Sequence, residues 1–586
     1  MRIAIAQLNV RAGDIDNNLV SMKMMIDQAK HQGADLIVFP EMCVGGYLIS
    51  DRYLQKEFTE LLLNANEIIK SWSNDIGIIW GNLYTIDGGK SNRDGRTNRF
   101  NAAYFAYDQQ WVDHENLLMP GIYLKHCLPD YRFFDDSRYF KSGLELNTEL
   151  NLPKEALISP FIFKRENKSL KIGMEVCEDL WSKDYQIVPT LIYAKHGVDL
   201  IINISSSPWT LNKELSRIKR IREHQAQLDE KMVKILYVNA CGMQNTGKNV
   251  LLFDGDSTLY NELGEIQVEA NDAFEQELLV FKLTDKIEAK KQESKLLKGL
   301  LTAIKEFDKQ ILGGQMPWII GMSGGIDSSL NTVLLVKALG AKRVIGYNMA
   351  SRYNSDKTKN IAKELAETLG IEYHEGSIET LTKATNDTLS TYALDPKEDG
   401  LPYENIQARL RGHLLSSFAA YKGGVVCNNG NKVELALGYA TLYGDTIGAL
   451  SILGDLTKVQ IFELSKTVNA FYKEDLIDPS LIGELKNGRY VFGLVPSAEL
   501  KENQIDPMKW GYHDWLVQYL TEYPSHYPIS WLKAYQDGSW KKTPVHDAMV
   551  AYGLDRPKAF AEDMIWFMKA WQKAIFKRIQ FPPIIT

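Results

Sequence analysis

Residues 318–329 read WIIGMSGGIDSS. A short apolar run ends at Gly321 and Met322, breaks into Ser323-Gly324-Gly325, and passes into helical periodicity from Ile326 to about residue 339. Two adjacent glycines let backbone amides approach an anion without a side-chain clash. The helix that follows offers its unpaired N–H groups and positive dipole end to the same anion. Ser323, Ser328 and Ser329 add hydroxyl donors. A strand feeding such a turn and helix is the repeating unit of a doubly wound parallel sheet. Asp327 would repel bare phosphate, so its place in the turn predicts a metal–triphosphate, with Mg²⁺ held between carboxylate and phosphates. The Gly-Lys-Ser/Thr ending of a P-loop is absent, and γ-phosphoryl transfer is not the natural reading.

Around this string the second half continues in the same rhythm. A helix is expected over 300–310, a second strand over 343–349, and a helix over 356–369 closed by Gly370. The first ~270 residues also alternate strand and helix, with apolar strands expected at 2–10, 34–41, 76–84, 170–178, 198–205 and 235–240 and a last one at 277–283. Dense mixed charge over 285–298 reads as a solvated connector. Boundaries follow: a domain over 1–270, a linker over 271–299 and a second domain over 300–586. A chain of 586 residues exceeds one ordinary core, and 45% apolar with 24% charged residues fits a globular protein.

Composition also excludes. The net charge of −7 gives no footprint for nucleic acid, and no run of about 18 apolar residues predicts a membrane span. The N-terminus enters a strand directly, so a cytoplasmic location is expected. Five scattered cysteines without CxxC spacing argue against a disulfide framework or structural zinc.

Three strand ends in the first half carry candidate chemistry: Glu41 after ADLIVFP, Lys125 in YLKHCLPDYRFF, and Cys177 in KIGMEVCEDLW. A cysteine nucleophile needs a base for its proton and a cation for the oxyanion, and these three residue types supply both. Glu178, beside Cys177, would disfavour the thiolate and make the cation more necessary.

These strings are similar to known families. WIIGMSGGIDSS resembles the SGGxDS signature of the ATP pyrophosphatase superfamily, which cleaves ATP between the α and β phosphates and adenylates an oxygen nucleophile. FPEM (39–42), KHCLPDYRFFDDSRYF (125–140), EVCEDLW (175–181) and NISSSPW (203–209) resemble the motifs around the Glu-Lys-Cys triad of the nitrilase superfamily, in its glutamine amidohydrolase branch. That resemblance implies an α/β/β/α sandwich, with Glu41 as general base, Lys125 as stabiliser of the intermediate and Cys177 as nucleophile. It also implies that Tyr131, Ser207 and Lys213 bind glutamine. The whole chain resembles the glutamine-dependent NAD synthetase family, through ENIQARLRG (404–412), GNKVELALGYATLYGD (430–445), GDLTKVQIFELS (454–465), PSAEL (496–500) and FKRIQFPP (576–583).

The family resemblance implies a Rossmann-like ATP pyrophosphatase fold for the second domain and a reaction: ammonia from glutamine displaces AMP from adenylated deamido-NAD. It assigns Gly321, Met322, Ser323, Gly324, Gly325, Ile326, Asp327, Ser328 and Asn429 to ATP, Asn405, Glu434 and Lys577 to deamido-NAD, and Asp327 and Glu434 to Mg²⁺. The implied partners are glutamine, ATP and deamido-NAD, with a homo-oligomer and an internal ammonia tunnel expected. Two positions depart from the family pattern: Asn429 replaces a threonine and Val433 a serine, and of these only Asn429 can still hydrogen-bond through its side chain. Arg409 and Arg411, two apart on one helix, point to different faces, so at most one reaches a phosphate. Other glutamine-fed pyrophosphatases are the nearest rivals. They draw ammonia from a Cys-His-Glu glutaminase or an N-terminal cysteine, and position 2 here is Arg2. A nitrilase-like scaffold without activity is the rival of another class, disfavoured by the presence of Glu41, Lys125 and Cys177.

Overall fold

The computed structural model describes residues 1–86, 97–114, 119–228, 232–245, 247–288, 294–394, 400–502, 504–522 and 526–586. Two compact units emerge, Met1–Thr246 with Leu251–Gln292, and Gly247–Val250 with Glu293–Thr586.

The first unit holds two sheets. In one, Arg2–Gln7, Leu36–Val38 and Gly77–Thr85 run parallel, flanked by the antiparallel strands Glu277–Lys282 and Arg99–Tyr107. In the other, Lys168–Val176, Leu200–Ser205 and Lys234–Asn239 run parallel, with Phe161–Arg165 and Thr258–Tyr260 antiparallel at their sides. Strand alternation sorts the side chains. Ile3, Ile5, Leu36, Val38 and Ile79 join Ile172, Met174, Ile202 and Leu236 in a core between the sheets. Ala4, Ala6, Ile37, Ile78 and Trp80 face the other way, onto helices Ile15–His31 and Lys56–Ser71. Strands buried on both faces read as unbroken apolar runs, which is why they stand out in the sequence.

The second unit is built on an all-parallel sheet in the order Ile584–Ile585, Leu450–Ser451, Val425–Asn428, Trp318–Gly321, Val344–Ala350, Glu372–Ser377. Asn249 and Val250 pair with Ile584 and Ile585 at one edge. Helices cover both faces. Trp318 meets Phe307 of helix Lys295–Ile311 on one side, while Ile319, Ile345 and Val426 pack on Ala419 of helix Leu401–Lys422 on the other. Helix Asp356–Leu369 begins at a Ser355 cap and, as the sequence predicts, ends at Gly370, which is in the left-handed conformation (φ 65°). A separate helical core gathers Trp510, Trp531, Trp540, Phe560 and Phe567 from the C-terminal region. Residues 271–299, expected as a linker, contribute the strand Glu277–Lys282 to the first unit and the opening of helix Lys295–Ile311 to the second.

Candidate active sites

In the first unit the three candidate residues stand at strand ends. Glu41 follows Leu36–Val38 by a short turn through Pro40, Lys125 follows Ile122–Leu124 directly, and Cys177 follows Lys168–Val176. Lys125 Nζ lies 2.9 Å from Glu41 Oε1 and 2.8 Å from Asp136 Oδ2, with both Lys125 and Glu41 fully buried. Burial alone would lower the Lys125 pKa; the carboxylates of Asp136 and Glu41 outweigh it and hold the ammonium well above the ordinary lysine range. Glu41 is fixed by three further contacts. Asn101 donates to Oε1 (2.7 Å), the Ser206 backbone N–H donates to Oε2 (2.7 Å), and the Ser206 hydroxyl donates to the Glu41 carbonyl (2.7 Å). Oε1 therefore accepts two hydrogen bonds and Oε2 one, which leaves Oε2 free to accept a proton.

Cys177 opens the 3₁₀ helix Cys177–Asp184 with φ 44°, a left-handed elbow unusual for a non-glycine residue. Burial pushes its thiol well up, the charge of Glu41 adds to that, and Lys125 opposes it. The thiol is therefore the resting form. Asp179 holds the elbow to the lysine segment: Oδ1 accepts from the His126 and Cys127 backbone N–H groups (3.1 and 2.8 Å), and Oδ2 from the Val176 N–H and the Tyr123 hydroxyl (3.0 and 2.9 Å). Cys127 is fixed at its backbone by that carboxylate, and its thiol is pushed up by burial and by Asp179.

Beside Cys177, Lys213 Nζ donates to Ser207 Oγ at 2.6 Å and to the Pro208 carbonyl at 2.5 Å. Burial lowers Lys213 to about 8. Glu178 accepts from the hydroxyls of Tyr131 (3.1 Å) and Tyr185 (3.2 Å), and burial raises it to about 7 against the pull of Lys125. Tyr131, Ser207 and Lys213 thus fall into two clusters, a lysine–serine pair and a tyrosine–glutamate pair. Asn101, Asp136, Asp179 and Ser206 were not singled out by residue type; Asp136, Asp179 and Ser206 do lie within the quoted strings KHCLPDYRFFDDSRYF, EVCEDLW and NISSSPW.

In the second unit a cavity of about 390 Å³ opens at the ends of the parallel strands. Gly321, Met322, Ser323, Gly325, Ile326, Asp327, Ser328, Asn429 and Glu434 line it, as does Arg411. Gly324, with φ 82°, instead faces the Thr358 carbonyl, where a Cβ would stand 1.9 Å from the oxygen. The helix Ile326–Leu339 has no side-chain cap at Gly325, so its first-turn N–H groups are left to a ligand. Ser328 Oγ bonds the Gly325 carbonyl (3.0 Å) and stands 3.1 Å from Ser323 Oγ.

Asp327 forms an ion pair with Lys458 Nζ, and Glu434 Oε1 lies 3.6 Å from the same nitrogen. Lys458, from the quoted string GDLTKVQIFELS, was not assigned a role from sequence. Burial raises Glu434 to about 8, opposed by Lys458 and reinforced by Asp327 and Asp506. Two carboxylates already converging on one cation, all-oxygen donors under mutual repulsion, suit Mg²⁺.

The two departures have physical explanations. Asn429 donates to the Gly321 carbonyl (2.8 Å) and accepts from Asn331 (3.0 Å), tying neighbouring strands together at the cavity wall. Val433 is fully buried among Trp510, Tyr512 and Leu516, so its side chain serves the C-terminal core. Of the two arginines, Arg411 lines the cavity and Arg409 bonds the Leu442 carbonyl. Asn405 and Lys577 are not among the cavity-lining residues; both hold the loop that lines it. Asn405 accepts from Thr441 Oγ1 (2.8 Å), and Lys577 Nζ donates to the carbonyls of Gly438 (2.7 Å) and Ala440 (2.6 Å).

A Glu-Lys-Cys constellation on a double-sheet sandwich and an aspartate-bearing anion turn on a parallel sheet define a two-site enzyme, a carbon–nitrogen hydrolase joined to a nucleotide-binding α/β unit. Residues 2–292 match the family model for carbon-nitrogen hydrolase, and residues 308–530 that for NAD synthase. A glutamine-dependent NAD(+) synthetase of Acinetobacter baylyi is 30% identical over 514 residues, covering 86% of this chain and 84% of the relative; one of Synechocystis is 31% identical, covering 86% and 85%. The solved glutamine-dependent NAD+ synthetase of Acinetobacter baumannii, in complex with ADP, is 31% identical with TM-score 0.70, covering 82% of this chain and 84% of that one. The chain belongs to the glutamine-dependent NAD(+) synthetase family.

Proposed function

We propose that the chain makes NAD(+) from deamido-NAD, ATP and glutamine, with the residue roles that follow. The observation that carries the reading is the buried Lys125–Glu41 ion pair beside the Cys177 elbow, in one chain with an Asp327-bearing anion turn. Glu41 takes the thiol proton on the open position of Oε2, and Cys177 Sγ adds to the glutamine side-chain carbonyl. Lys125 stabilises the oxyanion, the proton passes to the leaving nitrogen, and the C–N bond breaks to give ammonia and a thioester. Glu41 then activates water, and glutamate leaves. Lys213 and Ser207 hold the α-carboxylate of glutamine; Glu178, oriented by Tyr131, faces its α-ammonium.

In the second unit Gly321 to Ser328 and Asn429 take ATP, and Asn405, Glu434 and Lys577 serve deamido-NAD. A nicotinate carboxylate oxygen attacks the α-phosphorus and pyrophosphate leaves. Ammonia then adds to the acyl carbon, and the acyl C–O bond breaks to release AMP and NAD(+). Asp327 and Glu434 would hold Mg²⁺, which supplies neutralisation of the triphosphate charge. Lys458 keeps both carboxylates in place. The five cysteines are free and buried, in keeping with a reducing cytoplasm, and by resemblance the chain assembles as a homo-oligomer, which sedimentation analysis tests.

The decisive experiment supplies nitrogen as glutamine or as ammonium to wild type and to Cys177→Ala. Glutamine-driven NAD(+) formation is expected to fall by at least ~10³-fold in the variant, with ammonium-driven formation kept. Equal loss from both sources would remove Cys177 from the nucleophile's role.

A further inference from the structure

Residues 494–500 run without helix or strand, and all of them line the nucleotide cavity. Its two ends are held through the backbone, where the Leu494 N–H donates to the Ser480 carbonyl (2.8 Å) and Gln407 Nε2 donates to the Leu500 carbonyl (2.9 Å), and between them the Glu499 side chain ties it to a further helix. Glu499 Oε2 accepts from Asn354 Nδ2 at 2.9 Å and from Thr358 Oγ1 at 3.0 Å, and Oε1 accepts from the Ser355 backbone N–H at 3.4 Å. These donors cluster at the start of helix Asp356–Leu369, Asn354 just before its cap, Ser355 at the cap and Thr358 in its first turn, where the dipole favours an anion. The Glu499 backbone has φ 48°, a left-handed conformation that disfavours any side chain, so the contacts must offset it.

Two lines of contact lead from Glu499 to the reacting half of the cavity. Thr358 presents its carbonyl to Gly324, at a distance that a single Cβ would violate. Asn354, bonded to Glu499, also accepts from Arg411 (3.3 Å), whose Nε donates to the Met349 carbonyl (2.9 Å); Arg411 and Met349 both line the cavity. Glu499 is the foremost counter-charge to the half-buried Arg411. A carboxylate in the wall of a polyphosphate cavity works against ligand charge unless it has another task. Here the task is mechanical: it ties a strap to the helix against which the anion turn rests.

We propose that Glu499 is a positioning residue for the ATP half-reaction, latching residues 494–500 across the nucleotide cavity and, through Thr358, setting where Gly324 stands. This rests on the assignment of ATP to that cavity. With the latch closed, the strap keeps water from the bound triphosphate; with it open, pyrophosphate can leave. Both consequences are specific to ATP kinetics, and a residue that only stabilised the fold would produce neither.

The test uses ammonium-driven NAD(+) formation by the full chain, comparing wild type with Glu499→Ala, Glu499→Gln and Glu499→Asp. Loss of charge-assisted hydrogen bonds predicts that Glu499→Ala raises KM for ATP about tenfold or more, while kcat stays within about threefold. Glu499→Gln keeps an acceptor oxygen for Asn354 and Thr358 and is expected to lie between Ala and wild type, which keeps the test open if the alanine variant fails to fold. Trypsin cleavage after Lys501, at the end of the strap, is expected to be faster in the variants and slowed by ATP. An ATP KM within about twofold of wild type in the folded variants overturns the latch, as does a lower Tm with unchanged kinetics. A wild type that forms no product with ATP under any nitrogen source overturns the ATP assignment itself, an outcome distinct from failure of the latch.

Discussion

Asp136 gives Lys125 a second carboxylate at 2.8 Å, and Tyr47 donates its hydroxyl to the other oxygen of Asp136. A buried ammonium between two carboxylates keeps its charge and its position; with one partner removed it keeps less of both. Asp136→Asn is therefore expected to lower glutamine-driven NAD(+) formation by about 10- to 100-fold through a misplaced or partly neutral Lys125, and to leave ammonium-driven formation intact. Steady-state rates with each nitrogen source check this. Glu178 and Lys213 set a pH window in the same pocket. Glu178, raised by burial to about 7, loses its negative charge as pH falls through that value; Lys213, lowered by burial to about 8, loses its positive charge as pH rises through that value. On the proposed reading glutamine, a zwitterion, needs both. Its kcat/KM is expected to be greatest between these two values and to fall on either side, and in Glu178→Gln the acid limb should disappear while the alkaline limb stays.

The elbow at Cys177 and the turn at Gly324 each put an element's end where a reacting group is needed, and both do it with positive φ. At Gly324 no side chain fits: the Thr358 carbonyl occupies the space a Cβ would take. Gly324→Ala is expected to displace the anion turn and to abolish NAD(+) formation from glutamine and ammonium alike, with hydrolysis of glutamine to glutamate continuing; a glutamate assay beside the NAD(+) assay separates the two. The Gly-Gly pair was legible in the sequence because conformational freedom is a property of the residue itself. Helix Asp356–Leu369 was legible for the same kind of reason, with Gly370 marking its end locally. The strand after Ala34 was read as reaching Glu41, yet the regular strand ends at Val38; Phe39 still donates to the Ile79 carbonyl (2.8 Å), and Pro40 has no N–H with which to continue the ladder. Arg99–Tyr107 went unread, although its Asn101 orients Glu41, since an alanine-containing strand gains its identity from the neighbours it pairs with. Asp136, Asp179 and Lys458 were hidden by the same physics: a carboxylate or ammonium becomes informative only when tertiary contacts supply its partner. Val433 looked like a lost hydroxyl until the C-terminal core gave its isopropyl group a place.

Two units with separate cores and separate sets of charged groups make the two chemistries separable by experiment. In the first unit the Lys125 ammonium is held between the carboxylates of Glu41 and Asp136. The nucleotide cavity is different: Asp327, Glu434 and Asp506 gather round the ammonium of Lys458, and burial together with this crowding holds Glu434 up at about 8. A polyphosphate brought into that field meets the cations of Lys458 and Arg411 beside a cluster of acidic side chains, and on the proposed reading a divalent cation offsets the excess negative charge of the second unit. Chelation of Mg²⁺ is accordingly expected to stop NAD(+) formation from either nitrogen source while glutamate continues to appear, and restored Mg²⁺ to recover the product. Asp327→Asn should reproduce the chelated state in the presence of excess Mg²⁺. If instead chelation stopped glutamine hydrolysis as completely as NAD(+) formation, with the folded fraction unchanged by circular dichroism, the charge balance drawn for the first unit would be wrong.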